Sequence, residues 1–406
     1  MSTEVIANDS ALPVSGLKLG ATASGLRYKN RDDLCLIAIP EGASAHGVYT
    51  TNRFCAAPVI VARRHEANAR PRFLVINAGN ANAGTGDAGI AAALEVCRAV
   101  AGAGECSVEQ VLPYSTGVIG QQLDSDRLAA CVPALFADLA EDGWQRAAAA
   151  ILTTDTRPKL RSATVVCGAH RFTVTGMTKG SGMIKPNMAT MLAYVATDAT
   201  IAQPVLAELT ARAVARSFNR ITVDGDTSTN DALVTIATGA AGNVSPASAD
   251  DELGQALLGG FEQVCGELAR DIVRDGEGAT KFVALRVRGG YSEEDCARVA
   301  YAVAESPLVK TALFASDANW GRILAAVGRA GATRLDIEDV AIAIGPCPIV
   351  RAGQPVTDYD EAAVTAVIKQ PTVDIDIAIG RGEHETTVWT CDLSFDYVKI
   401  NAEYRS

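Results

Sequence analysis

The chain has 406 residues, of which 48% are hydrophobic and 20% are charged, and this composition excludes disorder as its main state. A chain of this length exceeds what one hydrophobic core usually supports, so we expect two packed lobes or one elaborate α/β body. The formal net charge is −11 and no long basic run occurs, which argues against nucleic acid as a partner.

Short apolar runs and amphipathic runs alternate along the first third of the chain. Buried strands are predicted at 34–40 and 73–77, because each apolar run is closed by turn residues. Helices are predicted over 88–103, which is rich in alanine, and over 124–140, where apolar residues recur along one face behind a polar start. We therefore expect strands and helices to alternate in this part.

Strands are the more frequent prediction in the remainder. Two apolar runs at 163–167 and 171–175 flank Gly168 and predict a hairpin. The next predicted elements, in chain order, are a strand at 191–195, a helix at 204–218, a strand at 232–237, a helix at 252–274 and a strand at 281–287. At 373–379 Val and Ile alternate with Asp, which predicts a strand in a sheet with one partly solvated face.

No sequence feature points to a metal, a membrane or an export route. The ten cysteines include no Cys-x-x-Cys pair, and the four histidines form no recognisable catalytic or ligand spacing. No apolar stretch approaches the roughly 20 residues that a membrane helix needs. The first ten residues lack the basic start and apolar core of a secretory signal, so we expect a cytoplasmic location. A Ser-His-Asp triad built from distant residues stays open.

The irregular segment 179–190, which precedes a predicted strand, contains the most informative residue. Gly180 and Gly182 give its backbone access to unusual dihedrals. A threonine hydroxyl is a poor nucleophile unless a base stands beside it, and a free α-amine on the same residue is one solution. Thr190 would gain that amine only if the Ala189–Thr190 peptide bond were cut. On this loop alone an ordinary turn remains the favoured interpretation.

Two other loops could position functional groups. The segment 115–120, Ser-Thr-Gly-Val-Ile-Gly, can aim the hydroxyl of Thr116 and a backbone N–H at one point, as an oxyanion hole requires. Glu277 lies between two glycines after a predicted helix, where a side chain can project into a cleft. Taken singly, the first is more often an ordinary turn and the second a solvated carboxylate.

Two further loops resemble ligand motifs only superficially. The segment 77–89 does not hold the Gly-x-Gly-x-x-Gly register of a dinucleotide site, so its asparagines are expected to form a hydrogen-bonded loop. The segment 222–231 differs from a calcium loop in the position of its glycine and in its closing residue. A polar turn with hydroxyl caps is therefore expected at 222–231.

Six segments in their joint order resemble the ornithine acetyltransferase family, the bifunctional ArgJ enzymes of arginine biosynthesis. The most specific segment is 178–192, Thr-Lys-Gly-Ser-Gly-Met-Ile-Lys-Pro-Asn-Met-Ala-Thr-Met-Leu. The others are 115–120, 153–156, 223–231, 275–281 and 401–406. This joint order, which runs along the whole chain, outweighs the ordinary interpretation of each loop alone.

The resemblance implies a fold and a maturation step. The fold is α/β, a layered sandwich with paired central β-sheets between helices, of the ArgJ-like, self-cleaving N-terminal-nucleophile type. Cleavage between Ala189 and Thr190 would give an α chain of residues 1–189 and a β chain of residues 190–406. Two α and two β chains would assemble as a heterotetramer.

The resemblance also implies the site residues. Thr190 would be the nucleophile, and Thr116 and Gly117 match the oxyanion positions. The matches to substrate-binding positions are Thr153, Lys179, Thr190, Glu277, Asn401 and Ser406. Ser406 is the last residue of the sequence and keeps a hydroxyl at its position.

The implied reaction moves the acetyl group of N2-acetyl-L-ornithine to Thr190 and then to the amine of L-glutamate. No metal or cofactor is expected. Members that use acetyl-CoA as a second donor share these motifs with members that do not, and we expect its use here. The alternative is an amidase or aminopeptidase with the same nucleophile and water as the acceptor, because no residue reports whether the site excludes water.

Overall fold

The structure is a computed structural model that describes residues 3–8, 10–185 and 191–403. These residues form sixteen strands and twelve α-helices, which confirms the predicted α/β class. The described chain divides into two compact units. The first runs to Asn219 and adds Asp226–Ile272, and the second combines Arg220–Gly225 with the residues from Val273 onward. The predicted division after residue 189 concerns a cleavage, and it stays a prediction.

The first unit contains two β-sheets and most of the helices. Its strands are β1 (Thr3–Asn8), β2 (Lys18–Thr22), β3 (Leu34–Ala38), β4 (Ser44–Tyr49), β5 (Phe73–Asn80), β6 (Val111–Val118), β7 (Lys159–Cys167), β8 (His170–Lys179), β9 (Leu192–Thr197) and β10 (Ala232–Ala237). Its helices are α1 (Ala57–Asn68), α2 (Gly86–Ala103), α3 (Ser125–Ala130), α4 (Val132–Ala137), α5 (Trp144–Ala150), α6 (Gln203–Ala215) and most of α7 (Glu252–Arg274).

The two sheets of the first unit face each other between layers of helices. The larger sheet has the strand order β1-β7-β8-β9-β10-β4, and the smaller one β2-β3-β5-β6. In the core between them, Tyr114 packs edge to face on Tyr194, with ring centroids 5.6 Å apart. Helices α2 to α4 cover the outer face of the smaller sheet. Helix α7 packs on the larger sheet, where a Cβ at Gly176 would lie 2.9 Å from Leu268 Cδ1. The predicted sandwich of paired sheets between helices is confirmed.

The pairing in the larger sheet places the functional loops side by side. The predicted hairpin is formed by antiparallel β7 and β8. Lys179 at the end of β8 lies opposite Leu192 at the start of β9, and Leu192 lies opposite Ala232 at the start of the parallel strand β10. The chain that leaves the sheet at Lys179 therefore returns to it next to the beginning of β10.

One predicted helix is broken in the structure. A continuous helix over 124–140 was expected, but two short helices, α3 and α4, meet at Cys131. Pro133 explains the break, because its ring has no N–H and would clash with the carbonyl four residues earlier in a continuing helix. The predicted polar start is confirmed, since the Asp124 carboxylate accepts a hydrogen bond of 3.1 Å from the Arg127 N–H.

The second unit is one mixed sheet with helices. Its strands are β11 (Phe282–Gly290), β12 (Ala341–Ile344), β13 (Cys347–Arg351), β14 (Gln354–Pro355), β15 (Thr372–Ala378) and β16 (His384–Cys391), in the order β14-β13-β12-β15-β11-β16. Its helices are α8 (Glu293–Ala304), α9 (Pro307–Phe314), α10 (Trp320–Gly328), α11 (Glu361–Ile368) and α12 (Phe395–Glu403).

The predicted alternation at 373–379 is confirmed in β15. Val373 and Ile375 are buried in the core, whereas Asp374 is exposed and Asp376 pairs with Arg288 of β11 at 2.8 Å. None of the helices that the structure describes is long and apolar enough to span a membrane. Within the same ranges, no group of three or more His, Cys, Asp and Glu side chains is placed to hold a metal ion.

Candidate active site

The predicted site residues that the structure describes fall into two groups. The first unit holds Thr116, Gly117, Thr153 and Lys179, and the second unit holds Glu277 and Asn401. The remaining predicted residues, Ala189, Thr190 and Ser406, lie outside the described ranges.

Lys179 joins the members of the first group. Its ammonium donates a hydrogen bond of 2.8 Å to the hydroxyl of Thr153 and one of 3.2 Å to the hydroxyl of Thr116. These residues lie 26 and 63 positions away in the sequence. The Lys179 side chain is only 11% exposed, and its Nζ lies 3.7 Å from Oδ2 of Asp155. Three residues that the family resemblance indicated separately are thus connected through one ammonium group.

Asp155 anchors this cluster, although the sequence predicted no role for it. The buried carboxylate accepts hydrogen bonds from the Lys159 ammonium at 2.7 Å, the Gly180 N–H at 2.6 Å and the Thr153 N–H at 3.2 Å. Burial alone would raise the pKa of the Asp155 carboxyl, but the charges of Lys179 and Lys159, with these hydrogen bonds, lower it to about 2. Two ammonium groups and one carboxylate leave this trio with a net charge of 2 − 1 = +1. The cluster therefore favours an anionic substrate group.

Thr116 and Gly117 lie near the end of β6, and both are half-buried. Gly117 has φ +132°, and a Cβ there would lie 2.3 Å from the carbonyl carbon of Gly79, so only glycine fits. The Thr116 oxygen accepts from Lys179, which leaves the hydroxyl hydrogen to donate to a separate acceptor. A hydroxyl and a neighbouring backbone N–H are the donors that an oxyanion hole uses.

Asn230, in the polar turn before β10, forms hydrogen bonds that hold the end of β6. Its Nδ2 donates to the carbonyl of Ser115 at 2.9 Å and to that of Ala81 at 2.6 Å. Its backbone N–H donates to the hydroxyl of Ser228 at 3.1 Å, which confirms the predicted turn with hydroxyl caps. The sequence did not predict that this turn would hold the residue before Thr116.

The loop after Lys179 has the unusual backbone that its glycines predict. Gly180 has φ +151°, and Met183 has φ +58°, a region that residues with side chains rarely adopt. Ser181 is buried, and its hydroxyl forms a hydrogen bond of 2.8 Å with that of Thr154. The start of this loop is thus tied to the segment that carries Thr153 and Asp155.

A second buried carboxyl lies near Lys179. Asp231 directly precedes β10 and is 3% exposed, and its Oδ2 has no hydrogen-bond partner among the described residues. Burial raises the pKa of Asp231 well above its ordinary value, although hydrogen bonds and the charge of Lys179 act in the opposite direction. The next residue, Ala232, donates its N–H to the carbonyl of Met191 at 3.0 Å. The turn that carries Asp231 is therefore hydrogen-bonded to the residue that follows Thr190 in the chain.

Glu277 and Asn401 meet in the second unit. The Nδ2 of Asn401 donates a hydrogen bond of 2.8 Å to Oε2 of Glu277, although 124 positions separate them. The carboxylate of Asp392 fixes the chain just after the loop that carries Glu277. It accepts hydrogen bonds from the backbone N–H groups of Thr280 at 2.8 Å and Lys281 at 2.9 Å. The Ser394 hydroxyl donates to the carbonyl of Gly278 at 2.6 Å. The pair of Glu277 and Asn401 presents the Glu277 carboxylate, which is suited to bind an ammonium group.

Comparison with known proteins shows similarity along nearly the whole chain. The ArgJ family model matches residues 18–406. The arginine biosynthesis bifunctional protein ArgJ of Psychrobacter arcticus is 54% identical, over 98% of this chain and 98% of its own. The protein of the same name from Methylococcus capsulatus is 50% identical, over 97% of this chain and 96% of its own.

A solved structure supports the same relationship. The crystal structure of arginine biosynthesis bifunctional protein argJ from Bacillus halodurans is 39% identical, with a TM-score of 0.51, and the match covers 53% of this chain and 100% of that chain. The predicted enzyme class, an acetyltransferase of arginine biosynthesis, is confirmed by the family model and the curated relatives together. The chain belongs to the ArgJ family.

Proposed function

We propose that this enzyme transfers the acetyl group of N2-acetyl-L-ornithine to L-glutamate through an acetyl ester on Thr190. The products are L-ornithine and N-acetyl-L-glutamate. The observation that carries the proposal is the hydrogen-bonded cluster of Lys179, Thr116 and Thr153. In this cluster an oxyanion hydroxyl and a cation for a substrate carboxylate lie within one hydrogen bond of each other.

We infer that the Ala189–Thr190 bond is cut to create the nucleophile. The α-amine that this cut releases has an ordinary pKa of about 8, so it can take the proton of the Thr190 hydroxyl. The size of a solved relative supports two chains. The second fragment would have 406 − 189 = 217 residues, and 217/406 is 53% of the chain. The match to the Bacillus halodurans structure covers 100% of that chain and 53% of this one, which is the share that the second fragment would have.

Acetyl transfer then takes two steps. The Thr190 oxygen attacks the acetyl carbonyl, the amide C–N bond breaks, and ornithine leaves after its amine gains the proton. The Thr116 hydroxyl and the Gly117 N–H stabilise the negative oxygen of the tetrahedral intermediate. The glutamate amine next attacks the Thr190 ester and returns the hydroxyl to its starting state.

The charged residues of each unit suit a different group of the amino-acid substrates. Lys179 and Thr153 hold the α-carboxylate, because the buried cluster around Asp155 carries the net positive charge. Glu277, held by Asn401, binds the side-chain ammonium of ornithine. Ser406 contributes a further hydroxyl to the substrate.

Assembly and donor range complete the proposal. Two α and two β chains form a heterotetramer in the cytoplasm, and the reaction needs no metal or cofactor. The relatives from Psychrobacter arcticus and Methylococcus capsulatus are named bifunctional. We extend that property to this chain as the use of acetyl-CoA to acetylate glutamate.

A two-substrate initial-rate study tests the transfer. Parallel lines in a double-reciprocal plot of N-acetylornithine and glutamate are expected, because ornithine leaves before glutamate reacts. Thr190→Ala should abolish transfer, whereas Thr311→Ala, at an exposed threonine of α9, should not. Intersecting lines, or ornithine release at the same rate without glutamate, would contradict the proposal; the second result would identify an amidase.

A further inference from the structure

A cavity of about 380 Å³ opens on the first unit, and none of the residues assigned to the transfer from N-acetylornithine to glutamate lines it. Its lining includes Arg53, Phe54, Ile60, Gly84, Gly86 and Asp87. The volume falls in the range of about 300 to 1,000 Å³ that small-molecule sites occupy. The cavity therefore has room for a ligand fragment the size of a nucleoside.

The rim of this cavity combines exposed apolar surface with a cation. The Phe54 side chain is 70% exposed and that of Ile60 is 42% exposed. Large apolar side chains exposed side by side usually mark a binding surface. Arg53 precedes Phe54 and is also exposed. An aromatic face next to a guanidinium suits the stacking of a nucleobase beside a phosphate.

On another side of the cavity, two glycines leave the backbone without side chains over it. Gly84 has φ +69°, Gly86 has φ +59°, and a Cβ at Gly86 would meet no atom within 4 Å. Helix α2 begins at Gly86, and the N–H groups of a helix start attract phosphate. Asp87 works against an anion at this point. The Gly-x-Gly-x-x-Gly register is absent here.

The cavity adjoins the oxyanion loop. A Cβ at Gly84 would lie 3.9 Å from Cγ2 of Ile119 and 4.0 Å from Cε1 of Phe54, so the two residues line the same point. Ile119 follows Thr116 by three residues, a span of at most about 10 Å. A ligand in the cavity is therefore within reach of the Thr116 hydroxyl through a flexible arm.

The rim is also connected to the loop after β8. The Phe54 N–H donates to Oδ1 of Asn52 at 2.9 Å, and Nδ2 of Asn52 donates to the carbonyl of Thr227 at 2.9 Å. The Thr227 hydroxyl donates in turn to the carbonyl of Lys185 at 3.0 Å. Hydrogen bonds thus link the cavity to the loop that carries the proposed nucleophile.

We propose that this cavity binds the 3′-phosphoadenosine diphosphate end of acetyl-CoA, while the pantetheine arm brings the acetyl group to Thr116 and Gly117. The inference rests on the proposed use of acetyl-CoA as the second donor. The thioester C–S bond breaks as the Thr190 ester forms, and the hydroxyl proton leaves with the sulfur as coenzyme A thiol. N-acetylornithine has no such extension, so the cavity serves the thioester donor alone.

Binding and kinetics of cavity variants test this inference. Coenzyme A binding is measured by titration calorimetry, and KM is measured separately for acetyl-CoA and N-acetylornithine. Arg53→Ala and Phe54→Ala should each raise both the Kd of coenzyme A and the KM of acetyl-CoA about tenfold, because each removes one main contact. Asp87→Asn should lower both values. The kinetics with N-acetylornithine should stay unchanged in all three variants.

Matched controls and opposing outcomes are available on the same unit. Arg216→Ala removes an exposed positive charge, and Val244→Ala removes an 87% exposed apolar side chain, so neither should change coenzyme A binding. Unchanged Kd and KM in Arg53→Ala and Phe54→Ala would overturn the inference, as would an equal change in the kinetics with both donors. A change only in oligomeric state would instead identify the rim as a contact between copies and also overturn it.

The wild-type protein separates this inference from the proposed function. One possible result is that the wild type binds coenzyme A, that the cavity variants weaken this binding, and that no acetyl group is transferred from acetyl-CoA. This result would support the nucleotide site but would reject acetyl-CoA as a second donor. Absence of coenzyme A binding would reject the site, while transfer from N-acetylornithine to glutamate would still support the main reaction.

Discussion

The Nζ of Lys179 lies 3.2 Å from Oγ1 of Thr116, and the two residues belong to different sheets of the sandwich. Lys179 ends β8 of the larger sheet, and Thr116 lies near the end of β6 of the smaller one. The packing of one sheet on the other thus builds the junction between the substrate cation and the oxyanion hydroxyl. Changes at this junction give the most direct predictions.

Replacement of the Thr116 hydroxyl should slow the reaction without affecting the fold. Loss of one oxyanion donor usually costs roughly a hundredfold or more in kcat. We expect this loss in Thr116→Ala and partial recovery in Thr116→Ser, which restores a hydroxyl. Steady-state kinetics and a thermal melt of each variant measure the two effects. Wild-type turnover in Thr116→Ala would remove this hydroxyl from the mechanism.

Asp155→Asn should destabilise the first unit. It would leave Lys159 and Lys179 without their shared carboxylate, and the loss of one partner from a buried ion pair costs roughly 3 to 5 kcal/mol. Urea titration measures the change in the free energy of unfolding. Asp250→Asn, which breaks an exposed pair with Arg212, is the matched control and should have a much smaller effect. Equal effects of the two substitutions would contradict the structural role of Asp155.

The same carboxyl predicts a loss of stability in acid. Burial opposes ionisation of Asp155, but Lys179 and Lys159 lower its pKa from 3.8 to about 2, so the unfolded chain binds the proton more readily. The stabilisation is complete above the unfolded pKa and is lost as the pH falls from about 4 through about 2. Asp155→Asn should therefore show a shallower acid transition than the wild type. Identical acid slopes would refute this assignment.

Asp231 predicts the opposite pH dependence. Burial raises its pKa, so the folded protein binds this proton more tightly than the unfolded chain. The corresponding stabilisation is complete below the unfolded pKa and is lost as the pH rises through the folded pKa. Relative to the wild type, Asp231→Asn should gain stability steadily as the pH rises above the ordinary pKa of a carboxyl group, as measured by urea titration at a series of pH values. A constant difference across this range would show that the folded protein holds Asp231 ionised.

The pair in the second unit predicts a specific effect on ornithine binding. Glu277→Gln removes the negative charge but keeps the shape, so we expect the KM of N-acetylornithine to rise about tenfold. Asn401→Ala should have a smaller effect in the same direction, because it removes one hydrogen bond to the carboxylate and leaves its charge in place. Glu385→Gln, at an exposed pair with Arg286, is the control. An unchanged KM in Glu277→Gln would exclude this role.

Regular elements were predicted well, because local apolar spacing determines them. The bounds of β10 and α7 agree with the prediction at both ends. The break at Pro133 shows how one residue overrides an otherwise continuous helical pattern. Apolar spacing and turn residues indicate only the local conformation of the chain, so they cannot reveal contacts between distant segments. The pairing of Asn401 with Glu277 across 124 positions is one such contact.

The supporting residues of the site were the least predictable part. Asp155 lies in the segment 153–156, to which the sequence assigned no carboxylate role, yet it receives hydrogen bonds from Lys159, Gly180 and Thr153. Asn230 was assigned to a turn, although its amide reaches the carbonyl of Ser115. Both act through side chains whose partners are distant in sequence. Family resemblance indicated the reacting residues, and the three-dimensional contacts were needed to identify the residues that hold them.

Intact-mass spectrometry of the purified enzyme distinguishes a self-cleaved acetyl-enzyme from an uncut chain. We expect two polypeptides, residues 1–189 and 190–406, and a gain of one acetyl group on the second polypeptide after incubation with N-acetylornithine in the absence of glutamate. Thr190→Ala should give one full-length chain that gains no acetyl group. A wild-type enzyme that transfers acetyl groups as one uncut chain would refute both the cleavage and the role of Thr190 as an N-terminal nucleophile.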